Sequence, residues 1–124
     1  MMFKSEYKDG AWIHPADLDD SFGPSYGNLI YYPRVSMNSK GDALVAYQMV
    51  GGSALSLLIS EYFNGQWTHP ETLRDSITPD ASLIPNLVPG FANPLNMNNK
   101  GQAIISWVGY DTLLMPSVFT SLRK

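Results

Sequence analysis

The chain has 124 residues, 8 basic and 11 acidic side chains, a net charge of −3 and no cysteine. A chain of this length suits one domain that buries about two-thirds of the surface of its unfolded form. The sparse, balanced charge excludes a basic stripe for nucleic acid or an anionic membrane, and the absence of thiols excludes disulfides, thiolate metal sites and a cysteine nucleophile.

Only 15% of the residues are charged, whereas glycine, proline and aromatics are plentiful, a composition of short strands joined by structured turns. The start, MMFKSEYKDG, has no basic stretch leading into an apolar one, and no apolar run approaches the roughly 18 residues of a membrane helix. Neither a signal peptide nor a membrane span is expected, and the compartment stays open.

In chain order, residues 4–7 and 11–14 read as two short strands about the turn KDG, followed by a long connection over residues 16–32. Residues 33–38 form a strand that begins at Pro33 and ends in the turn NSKG, whose Asn and Gly suit a tight hairpin. Residues 43–50 (ALVAYQMV) are nearly continuously apolar, as in a strand covered on both faces. Residues 55–63 and, after the turn FNG, residues 66–69 complete four strands, here named A, B, C and D. A second long connection, residues 71–92, leads to another A (93–98), B (103–109) and C (113–122).

The segments align with each other. SEYKDGAWIHPADLDDS from Ser5 matches SEYFNGQWTHPETLRDS from Ser60 at about ten of seventeen positions without a gap. VSMNSKGDALVAY from Val35 matches LNMNNKGQAIISW from Leu95. The spacing grows by about five residues between the two blocks, a growth expected in the connecting loops. The expected fold is therefore all-β: one domain over residues 1–124 made of two antiparallel four-stranded units. Residues 34–73 form a complete unit. Residues 93–122 lack strand D, which residues 4–15 supply from the other terminus.

The pattern Y-x-x-G-x-W-x-x-P-x-x-L is carried by Tyr7, Gly10, Trp12, Pro15 and Leu18 and by Tyr62, Gly65, Trp67, Pro70 and Leu73. It is followed by M-N-x-x-G-x-A, carried by Met37, Asn38, Gly41 and Ala43 and by Met97, Asn98, Gly101 and Ala103. Together these resemble a tandem repeat common in bacterial surface and secreted propeller-type proteins. The resemblance implies that each unit is one blade of a β-propeller and that the termini close a ring. Two blades are too few for a ring of about four to eight, so the implied partners are further blades or further copies of the chain. The Asp-box of sialidase-like propellers, S-x-D-x-G-x-x-W, is not matched: Tyr7 and Tyr62 stand where its aspartate belongs.

No catalytic set emerges. His14 and His69 occupy equivalent positions before proline and read as imidazoles hydrogen-bonded at the end of strand D. Asp17, Asp19 and Asp20 lack the spacing of a calcium loop and read as a solvated turn. Arg34, Arg74 and Arg123 are too few to gather on a sialic-acid carboxylate, and Ser53 has no nucleophile-elbow context. The candidate ligand-binding residues are aromatic: Trp12, Trp67, Tyr7, Tyr62, Tyr31 and Tyr32 can stack on sugar rings or pack between blades. The reading is a non-enzymatic binding or scaffolding module for a glycan or protein ligand, with no metal or cofactor. The alternative is a fragment or subunit of a glycan-processing hydrolase whose catalytic residues lie elsewhere.

Overall fold

A computed structural model describes residues 1–22, 29–51, 54–71, 75, 84–85, 95–110 and 116–123. The protein is mostly β, in antiparallel sheets, with no α-helix among the described residues. The N-terminal hairpin β1 (Glu6–Lys8) and β2 (Ala11–Ile13) forms a two-stranded sheet and is followed by a short 3-10 turn, Leu18–Asp20. The first four-stranded sheet runs in the order β3 (Leu29–Met37), β4 (Ala43–Gly51), β5 (Ala54–Phe63), β6 (Gln66–Thr68). In the second, β9 (Ala103–Tyr110) pairs on one edge with β10 (Pro116–Arg123) and elsewhere with β7 (Ile84–Pro85) and β8 (Leu95–Met97).

Local chemistry sets the turns. Asp9 and Gly10 take φ of 52° and 83°, and Asn64 and Gly65 take 51° and 78°, so both central residues of each two-residue hairpin are left-handed. That backbone matches the twist of the flanking strands, and Asp-Gly and Asn-Gly tolerate it at least cost. The NSKG and NNKG turns are held by their asparagines. Asn38 Oδ1 accepts from the backbone N–H groups of Lys40 and Asp42, both at 3.0 Å. Asn98 Oδ1 accepts likewise from Lys100 at 2.9 Å and Gln102 at 3.1 Å.

Strand A is longer than its proline suggests. β3 already pairs from Leu29, inside the segment expected to be a loop, because β4 offers an edge as far as Val50. The ladder breaks between Tyr31 and Arg34, where Tyr32 and Pro33 stand opposite Tyr47 alone. Proline has no N–H to give the ladder, and Tyr32 turns the chain at φ 51°, which makes a bulge. In the second sheet, β7 and β8 occupy the places of the two halves of β3, pairing Ile84 with Tyr110 and Leu95 with Ile105. Four residues separate Ile30 from Val35, whereas nine separate Pro85 from Leu95. The five-residue growth in spacing therefore falls between Pro85 and Leu95.

β4 is covered on both faces. Leu44 and Ala46 face the second sheet and pack with Leu57, Leu95, Ala103 and Ile105. Tyr47 and Met49 face the other way and pack with Leu58, Met2 and Phe22. Period-two alternation thus feeds two separate cores from one strand. Hydrogen bonds tie the turns of the two sheets together, from Met97 N–H to Ser36 Oγ at 3.1 Å and from Ser39 N–H to Asn99 Oδ1 at 3.1 Å.

Among the described residues, 4–15 and 93–122 share no strand pairing. β2 pairs with β1, and among the described residues β10 pairs only with β9. The hairpin is instead held against the far face of the first sheet. Met2 and Phe22 are buried there, the Phe22 N–H donates to the Met2 carbonyl at 2.6 Å, and the Trp67 indole N–H donates to Glu6 at 3.0 Å.

Candidate functional site

The two aligned histidine segments make the same contacts 55 residues apart. His14 Nδ1 lies 2.9 Å from Ser5 Oγ, and His69 Nδ1 lies 2.8 Å from Ser60 Oγ. Each imidazole also stacks near-parallel on a tryptophan, Trp12 or Trp67, with ring centroids 6.1 Å apart in both. The Asp20 carboxylate accepts from the Ala16 N–H at 2.8 Å, and Asp75 accepts from Glu71 at 3.0 Å, so this member of the acidic cluster recurs in both segments. Asp17 caps the 3-10 turn by accepting from the Asp19 N–H at 2.9 Å. These groups serve the scaffold. Among the described residues no three histidines or carboxylates gather as a metal site.

A depression of about 330 Å³ beside β6 brings His69, Glu61, Glu71 and Asp75 to one surface. Three of these groups have structural partners: His69 faces Ser60, Asp75 accepts from the Glu71 N–H, and Glu61 pairs with Arg123 at 3.0 Å.

Partial burial, with the positive charge of Lys4 second, holds His69 below its ordinary pKa. The hydrogen bond from Lys4, outweighing the opposing effect of partial burial and helped by the Trp67 indole, holds the Glu6 carboxyl below its ordinary value. Both groups bind fewer protons folded than unfolded, so both make stability rise with pH. For His69 the rise runs from its lowered folded value up to the unfolded value of about 6.5. For Glu6 it runs over the corresponding range below about 4.3. Denaturation midpoints at pH 7, 5.5 and 4 should therefore fall in that order, and His69→Gln should flatten the step between pH 7 and 5.5.

The six aromatic candidates separate into three environments. Trp67 and Tyr62 are partly buried, with Trp67 edge-on to Phe22 at 4.6 Å and under the Lys4 ammonium at 5.4 Å. Their counterparts Trp12 and Tyr7 are 61% and 63% exposed, edge-on to each other at 5.5 Å. Tyr31 and Tyr32 form a third, exposed pair on the bulge of β3, with rings 5.9 Å apart and tilted by 32°. Phe22, in the long connection over residues 16–32, lies edge-on over Trp67 and His69. Of the second connection, residues 71–92, only Glu71, Asp75, Ile84 and Pro85 are among the described residues.

Sequence reasoning missed a groove between the two four-stranded sheets, of about 420 Å³, lined by Ile59, Glu61, Ala103, Ile105, Leu122 and Arg123 among others. Among the described residues no strand equivalent to β6 pairs with β10. Comparison of the chain with protein-family models, with curated proteins and with solved structures finds no match.

Proposed function

We propose that the chain is a non-enzymatic, propeller-type binding module in which each four-stranded sheet is a blade and the bulge of β3 presents the ligand-binding surface. The observation that carries this reading is the Tyr31–Tyr32 pair, two phenols held side by side in solvent on a left-handed tyrosine backbone. A tyrosine at φ 51° costs about 1–3 kcal/mol, and such strain is retained where a side chain must be aimed. Adjacent phenols offer flat apolar faces to a sugar ring and hydroxyls to its polar groups, which favours a glycan as ligand class.

The engagement of both histidines, Asp20 and Asp75 in scaffold contacts supports a binding role over a hydrolytic one. The test is a glycan-array screen followed by calorimetric titration of the best hit. Tyr31→Ala and Tyr32→Ala should each weaken binding about tenfold, close to 1.4 kcal/mol, with unchanged thermal unfolding. Silence across the array, or alanine variants that bind like the parent, would refute the reading.

A further inference from the structure

We infer that the groove between the two four-stranded sheets receives the N-terminal hairpin of a second copy of the chain, with Trp12 as its anchor. The inference rests on the blade reading above and adds the partner and the contact. The argument is an internal template. Trp67 of β6 meets Glu6 through its indole N–H, lies under Lys4 and edge-on to Phe22, and packs with Val45 of β4 on the cluster around Met2 and Phe22. Moving to the next unit along the aligned segments, Glu61 takes the place of Glu6, Ile59 that of Lys4, and Ile105 that of Val45. Those three residues line the groove.

The chain carries one tryptophan in the matching hairpin setting, Trp12, and that one is exposed beside exposed Ile13. It does not fill its own chain's groove, because Met2, Glu6 and Phe22 hold the hairpin on the opposite face of the first sheet. A second copy meets no such restraint. Docked by the template, its β1 pairs with Ala103–Ile105 of β9 in place of Ser121–Arg123, the equivalent end of β10. Backbone hydrogen bonds are exchanged one for one. Arg123 then leaves Glu61, which it now holds at 3.0 Å, and Glu61 accepts from the Trp12 indole N–H.

The same placement covers two further apolar faces. Val35 and Met37 are 69% and 64% exposed, whereas their equivalents Leu95 and Met97 pack on the core around Leu44. Ile104, the counterpart of Leu44, is itself exposed at the other end of the molecule. Docking lays Ile104 of one copy on Val35 and Met37 of the next, so one contact completes both. The contact is head-to-tail, and a closed ring of about four to eight blades corresponds to about two to four copies.

Light scattering across a hundredfold dilution series tests this. The parent should show a closed multiple of 13.7 kDa at high concentration. Trp12→Ala should weaken association at least tenfold, while Arg123→Ala, which releases Glu61, should strengthen it. Because the chain lacks cysteine, a Trp12→Cys chain mixed with a Glu61→Cys chain under oxidising conditions should give a mixed disulfide dimer in preference to either self-pair. A parent that stays at 13.7 kDa throughout, or a Trp12→Ala variant that assembles like the parent, overturns the inference. A monomer that still binds glycan through Tyr31 overturns it alone, and an assembly that binds no glycan overturns only the ligand assignment.

Discussion

Leu57→Ala and Leu58→Ala are each expected to lower stability by about 3 kcal/mol, the usual loss for a buried leucine, or about 10 °C in midpoint for a domain of this size. Both side chains are almost completely buried, yet they are neighbours in sequence and point to opposite faces of β5. Leu57 belongs to the core shared with the second sheet, and Leu58 to the core shared with Met2 and Phe22. Their effects should add to within about 0.5 kcal/mol because the side chains share no cluster. The double variant then approaches the full stability of a typical domain, about 5–15 kcal/mol. Ile104→Ala, on an exposed position of β9, should cost less than about 1 kcal/mol in the dissociated chain. Urea titrations of the three single variants and the double variant decide the matter. If either leucine proves cheap to truncate, the face it occupies is not packed as described.

Asn38→Ala is expected to cost about 2–3 kcal/mol, and Asn98→Ala only about 1, although the two asparagines make the same turn. Each uses its carbonyl oxygen to accept two backbone N–H groups and its amide to reach the residue four positions on. The difference is burial. Asn38 is 9% exposed and its amide also donates to the Asn98 carbonyl at 3.4 Å, so truncation leaves groups that water reaches poorly. Asn98 is exposed, and water can replace its bonds. Asn38→Asp keeps the acceptor but sets a second carboxylate against Asp42, and should fall between the two with a cost that shrinks in high salt. Equal losses at both positions would show that the turns contribute only locally.

Much of the local structure was legible because its causes are local. Asp9-Gly10 and Asn64-Gly65 adopt the left-handed hairpin backbone that few other residue pairs tolerate, and the alternation in residues 43–50 points side chains to two cores wherever the strand lies. The candidate site was less legible. Sequence placed Trp12 and Trp67 in one class on equal spacing, yet one is covered by Phe22 and Lys4 and the other is bare. That difference depends on which unit precedes each of them in space. Tyr31 and Tyr32 were visible as aromatics in a connection, but nothing local marks the bulge, which arises because Pro33 interrupts a ladder imposed by β4.

The sequence by itself determined the all-β class, the turn positions and the matched chemistry of the Ser5–His14 and Ser60–His69 segments, since each is set by residues within about ten positions of one another. Tertiary structure alone decided three things: that the N-terminal hairpin lies on the first sheet, that both Ile84–Pro85 and Leu95–Met97 pair with β9, and that a groove is left beside β10. The reason is physical. Backbone conformation and hydrogen bonds between near neighbours follow from side-chain identity, whereas the choice among several apolar faces of similar composition is made by the contacts of Met2, Glu6 and Phe22 with residues up to some sixty positions away.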